Sequence, residues 1–173
     1  LPHEEFDIVY SCDVLEHIRG AKGVLNKLFA CLKPEGVAIL IFPDRDTVFG
    51  LSARVLPHWV HVGYHRYVLG AKDAGKPGFG PYPTFHDEVV SRRGIHEFCE
   101  ANNLKFLFEY GRQPYFGKGA WFRIGYKFAA PIITTLSLGA ISSSHIGLVC
   151  AIKKAPGTRD KHAQDLPALT PTS

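Results

Sequence analysis

Residues 5–44 read EFDIVYSCDVLEHIRGAKGVLNKLFACLKPEGVAILIFPD, and this stretch decides the fold. Phe6, Ile8 and Val9 form a short apolar run bounded by charge, as a parallel strand covered on both faces would. Asp13 stands where a helix start wants a capping acceptor, with Glu16 three positions later as in a capping box. Val14, Ile18, Ala21, Leu25, Leu28, Phe29 and Leu32 then recur at steps of three and four, which predicts one helix with an apolar stripe and with Arg19, Lys22 and Lys27 in water. Lys33 suits a last helical turn, Pro34 stops it, and Gly36 gives the turn its freedom. Val37 to Phe42 carries no charge and predicts a second buried strand. A strand, helix and strand of this length cross over right-handed, so both strands end on the same edge. Ser11, Cys12 and Asp13 are therefore expected beside Pro43, Asp44 and Arg45, at the rim where open parallel sheets bind ligands.

The run FDIVYSCDVLEH, followed by a helix ending LKPEG and another strand, resembles the middle of class I S-adenosylmethionine-dependent methyltransferases, close to the type 11 group. The resemblance implies an α/β fold: a partial Rossmann-like methyltransferase sheet, its C-terminal half, with helices on both faces. It implies S-adenosyl-L-methionine as cofactor, held at Ser11, Cys12 and Asp13 and then at Glu16 and His17, which stand where the family has its LEH. A second reading of these residues stays open, in which Asp13 only caps the helix, Glu16 only closes the capping box and Cys12 only fills a gap. Removing a proton from a hydroxyl or amine acceptor needs a base, and Asp13, Asp44, His17 and His65 are the candidates. The family's glycine-rich turn has no counterpart here and is expected N-terminal to residue 1, as is the missing half of the sheet; the chain contains no methionine. On this reading the chain is the C-terminal part of a longer enzyme, inactive by itself.

Residues 57–90 mix aromatics, histidines, glycines and prolines without clear periodicity, the character of a functional or covering loop. By the resemblance, this insertion covers the methyl acceptor, with His61, Tyr64, His65, Arg66 and Tyr82 lining its pocket; a loop packed over its own domain is the alternative. His58, His61 and His65 have the spacing of metal ligands, but Pro57 and Gly63 interrupt the expected helix, no acid or cysteine supports the turn, and no metal is expected. GAKDAGKP at 70–77 approaches a phosphate loop and fails at Pro77, where a hydroxyl belongs.

Order returns at Ser91, which suits the cap of a helix through Ala101, followed by a strand at Leu104–Tyr110 and a last strand at Ile146–Ile152. Arg92 and Arg93 oppose the dipole at that helix start, so each either meets an acid or is simply solvated. Phe128 to Ile152 has no charge over 25 residues, yet Pro131, Gly139, Ser142 to Ser144 and His145 break the run, which argues against a membrane span. Trp121, Phe122, Arg123, Tyr126 and Lys127 nevertheless mix aromatic and basic groups as interfacial helices do, so peripheral membrane contact through 118–138 is a further expectation. Residues 1–154 are read as one part-domain and 155–173 as a disordered tail.

The 173 residues and an apolar fraction of 46% suit one globular unit. Cys12, Cys31, Cys99 and Cys150 fit reduced core thiols, so a cytoplasmic location, with or without membrane association, is expected. A net charge of +4 with interspersed acids carries no nucleic-acid signature. The acceptor is a small molecule or a lipid. A catalytically inert binding module of the same fold is the alternative function, and a lipid-surface protein is a third.

Overall fold

The computed structural model describes residues 3–113 and 120–156, the side chains of 120–123 excepted. Four strands form one sheet in the order β1-β2-β4-β3: β1 is Phe6–Cys12, β2 Leu32–Pro43, β3 Leu104–Arg112 and β4 Gly147–Lys154. β1 pairs parallel with β2, from Ile8 against Val37 to Cys12 against Ile41. β4 is antiparallel to both β2 and β3. The first three strands therefore run in one direction and end at one rim, the geometry expected of the crossover.

The crossover helix α1, Ala21–Cys31, is shorter than its periodicity predicts. Asp13 sits in the left-handed region at φ 48°, Leu15–His17 make a single tight turn, and Gly20 at φ 73° interrupts the path. Leu15 is buried all the same, so the apolar repeat continues through a turn that is not helical. The expected capping box does not form. The Ala21 amide instead donates to Asp87 Oδ2 at 2.6 Å, a cap delivered from 66 residues away. At the other end, Lys33 to Gly36 bulge out of β2 between two paired stretches, and Lys33 Nζ reaches both carboxylate oxygens of Asp7 at 3.0 and 2.9 Å.

Ala38, Leu40 and Phe42 of β2 and Leu148, Cys150 and Ile152 of β4 meet Leu25 and Phe29 of α1 and Ile95 and Phe98 of α4, Arg92–Ala101. The Phe29 and Phe98 rings lie 5.8 Å apart, which joins the two helices over one face of the sheet. The layering expected on both faces is realised on this one. On the other, Ile8 and Tyr10 are each 62% exposed, Phe108 52% and Tyr110 60%. β1 is an edge strand among the described residues, so its apolar residues are covered from one side only. Cys31, Cys99 and Cys150 are buried and all four cysteines are free thiols; burial pushes the Cys99 and Cys150 thiols up to about 12.

Thr47 caps α2, Val48–Val55, by accepting from the Gly50 amide at 3.0 Å. The insertion that follows is more regular than expected. α3, His58–Gly63, passes directly into a wider π turn at Tyr64–Val68, and Gly63 keeps helical dihedrals instead of interrupting. Ser91 caps α4 as expected, accepting from the Gly94 amide at 2.9 Å. Arg92 meets an acid: it pairs with Glu109, which also binds His96 at 2.6 Å. α5, Ala120–Leu136, contains Pro131 and lies against α2. Among the described residues no helix is long and apolar enough to cross a membrane. The expected tail lies outside the described residues beyond 156.

Replacing Asp87 with alanine leaves the first turn of α1 without its acceptor, and urea unfolding is expected to show a loss of about 1 kcal/mol.

Candidate functional site at the strand-end rim

The rim is laid out by register. Cys12 pairs with Ile41 and the Asp13 amide donates to the Ile41 carbonyl at 2.8 Å; the Asp44 amide donates to the Ile146 carbonyl at 3.1 Å. Ser11, Cys12 and Asp13 thus end β1 next to the end of β2, as predicted. Asp13 is exposed, and its carboxylate accepts from Arg112 Nη1 at 3.0 Å. Arg112 ends β3 at the far edge of the sheet, so this pair ties the two outer strands across the ends of β2 and β4. Gly147 makes room for that crossing: a Cβ there would stand 2.7 Å from the Phe42 carbonyl oxygen and 3.2 Å from Arg112 Nε.

Asp44 lies under this surface and is 2% exposed. Its Oδ1 accepts from the Asp46 amide at 2.9 Å, and its Oδ2 accepts from His145 Nε2 at 2.8 Å. An ionised carboxylate only accepts, so His145 carries its proton on Nε2, and Nδ1 lies 2.9 Å from Ser144 Oγ. Both oxygens of Asp44 are therefore engaged within the protein. Sequence reading missed Arg112 and His145: the first closes a strand with no motif, and the second follows three serines that read only as a break.

Glu16 and His17 occupy the turn after β1. Glu16 is 4% exposed, its Oε2 has no hydrogen-bond partner, and burial raises its carboxyl pKa above the ordinary value. His17 Nδ1 donates to the Pro83 carbonyl at 2.7 Å, which leaves Nε2 as the basic nitrogen, 3.7 Å from Glu16 Oε1. The insertion is fastened here a second time, by the Phe85 amide donating to the Glu16 carbonyl at 2.8 Å. Tyr82 meets the His17 ring edge-on at 6.0 Å.

Beyond Tyr82 lies a cavity of about 260 Å³ lined by Ala53, Leu56, His58, His61, His65, Pro81, Tyr82, Pro83 and Thr84. His61, His65 and Tyr82, three of the five residues expected to line an acceptor pocket, come together on its wall. Tyr64 and Arg66 are not among the lining residues: Tyr64 packs edge-on against the His65 ring, and Arg66 Nη2 donates to the Ala74 carbonyl at 2.7 Å. His58 joins His61 and His65 on the wall, and the helix runs on through Gly63 to reach His65. Burial, then the neighbouring His61, holds His65 below its ordinary pKa. His86 supports the wall from behind, with Nε2 2.7 Å from Thr84 Oγ1; burial first, then Arg54 and Arg45, pushes its pKa down to about 4. No lining residue is acidic. Among the described residues, no group of three His, Cys, Asp or Glu is disposed to hold a metal ion.

A family model described as a methyltransferase domain matches residues 2–106. Solved structures similar to this chain include an S-adenosylmethionine-dependent methyltransferase, possible histamine N-methyltransferase, from Thermotoga maritima, at 12% identity over 89% of this chain and 58% of that one, with a TM-score of 0.49. Another is an S-adenosylmethionine-dependent methyltransferase from Archaeoglobus fulgidus, at 13% identity over 89% of this chain and 62% of that one, with a TM-score of 0.41. The chain thus spans about three fifths of the length of these structures. No curated protein matches it. At the end of β1 the Asp13 carboxylate and the buried Oε2 of Glu16, unpartnered among the described residues, are acceptor groups whose chemistry would suit a cationic ligand.

Two outcomes follow from these contacts. Asp44→Ala leaves His145 buried without its acceptor and is expected to cost about 3 kcal/mol or more in urea unfolding, so any loss of function in that variant is first a loss of fold. His86 binds its proton less tightly folded than unfolded, so its contribution is complete above pH 6.5 and is lost as pH falls toward 4. Its size is up to about 3 kcal/mol, and thermal melts between pH 4 and 7 should show a shallower acid slope in His86→Gln.

Proposed function

Because the chain belongs to the methyltransferase domain family, its family model matching residues 2–106, we propose that it serves methyl transfer from S-adenosyl-L-methionine to a hydroxyl-bearing acceptor, as the acceptor-side part of a longer enzyme. The observation that carries this reading is the fastening of the histidine-lined cavity to the end of β1, through His17 to Pro83 and Phe85 to Glu16. Donor-side and acceptor-side residues then meet at one turn.

The cofactor, when bound, supplies a methyl group on a positively charged sulfur. Ser11, Cys12, Asp13, Glu16 and His17 are the residues proposed to hold it, and Glu16 offers a carboxyl oxygen that is unpartnered among the described residues. Alignment is most of what such a displacement needs from a protein. Two imidazoles are placed to take the acceptor's proton. His17 donates from Nδ1 to Pro83, so in the neutral ring Nε2 is the accepting nitrogen, and burial holds His65 below its ordinary pKa. A wall without carboxylates offers nothing to pair with a cationic amine, which favours a neutral or anionic oxygen acceptor over an ammonium one. The exposure of Ile8, Tyr10, Phe108 and Tyr110 on the outer strands, together with an edge of β1 that is unpaired among the described residues, supports a further half of the sheet in the working enzyme.

The test uses the full-length protein. Calorimetric titration with S-adenosylmethionine should give a binding isotherm; no heat and no thermal shift would remove the proposal. His65→Gln should lower transfer about 10²-fold or more while cofactor affinity is kept. In the parent enzyme, transfer should fall on the acid side with an apparent pKa below 6.5, as His65 takes a proton, and this limb should vanish in the variant. Loss of cofactor binding in His65→Gln would move that residue to the donor side.

A further inference from the structure

Helix α5 has one seated face and one bare face. Ala130 is 2% exposed, the Tyr126 hydroxyl donates to the Ser143 carbonyl at 3.5 Å, and the helix lies against α2. On the bare side, Ile124 is 44% exposed, Phe128 71%, Ile132 59% and Leu136 79%. These four stand at successive steps of four, so they form one line down the helix, about 18 Å long at 1.5 Å per residue. Leu138, just past the helix end, is 95% exposed and extends the line. Scattered exposed apolar residues need no explanation, but an ordered stripe of large ones does.

Charge says what kind of surface covers it. From Tyr110 to Arg159 the chain contains no aspartate or glutamate, and the sequence of α5 itself carries two basic residues, Arg123 and Lys127. Lys127 is exposed on α5 itself, adjacent to Phe128. A helix with a line of exposed apolar side chains, two basic residues and no acidic one matches the hydrocarbon boundary and phosphate layer of an acidic bilayer. The helix is 17 residues long, contains Pro131 and cannot cross, which suits an in-plane orientation.

We propose that the Ile124–Phe128–Ile132–Leu136 stripe seats the protein on an anionic phospholipid bilayer, with α5 lying in the headgroup plane. The inference stands apart from methyl transfer: it uses none of the rim residues.

The experiment is co-sedimentation of the full chain with vesicles of phosphatidylcholine alone and of phosphatidylcholine with 30% phosphatidylserine. Binding is expected to the second, weakened in about 0.5 M salt because the screening length falls to a few ångströms. Phe128→Asp and Ile132→Asp should each reduce partitioning about ten-fold or more, and both side chains are exposed, so thermal melts should stay unchanged. Lys127→Glu should weaken binding to the acidic vesicles. Absence of binding to phosphatidylserine vesicles overturns the proposal, as does equal partitioning by Phe128→Asp. A concentration-dependent dimer that Phe128→Asp dissolves, without vesicle binding, overturns it in favour of a second copy.

Discussion

The parallel pairing of β1 with β2 is the constraint on which the rest depends. Once Cys12 lies beside Ile41, the turn after β1 and the turn after β2 emerge at one edge, with Asp13 and Asp44 beside it. β4 runs the other way between β2 and β3, which returns the last described strand to the sheet and leaves β3 ending at the same edge. Arg112 can then reach Asp13 across two intervening strands, and His145, just before β4, can reach Asp44. Neither contact is local: the partners are 99 and 101 positions apart.

Charge at the rim is arranged in two layers with different physics. Asp13 and Arg112 remain partly exposed, so water screens their attraction and it is modest. Asp44 and His145 are buried, and there the pair secures the fold, since either partner alone would be an uncompensated polar group in the interior. Glu16 differs from both. It is buried without a full set of partners, a cost that a stable turn would ordinarily avoid, and such costs concentrate at sites that bind something.

The insertion at 57–90 is more helical at its start than its sequence suggests, because Pro57 stands just before the helix and Gly63 keeps helical dihedrals. The π turn after Gly63 adds a residue to one turn and brings His65 to the same cavity wall as His58 and His61, two positions that an uninterrupted repeat would also have paired. Its return leg, Pro81 to Phe85, is held by backbone hydrogen bonds to Glu16 and His17 and not by any pattern of its own side chains.

What the sequence determined by itself were the features that depend on near neighbours: the charge-free run Val37–Phe42, the Ser91 cap with its amide three positions on, the break at Lys33–Gly36, and a methyltransferase-like order of elements. Each rests on interactions within a few residues, and so leaves a periodic trace. Tertiary structure alone decided where α1 begins, because Asp87 and not Asp13 caps it. It also decided which face of the sheet is covered, which residues ring the rim, and which histidines share a cavity. Those outcomes come from contacts between segments tens of residues apart, whose energies depend on burial and distance, and neither quantity is written into the spacing of residues along the chain.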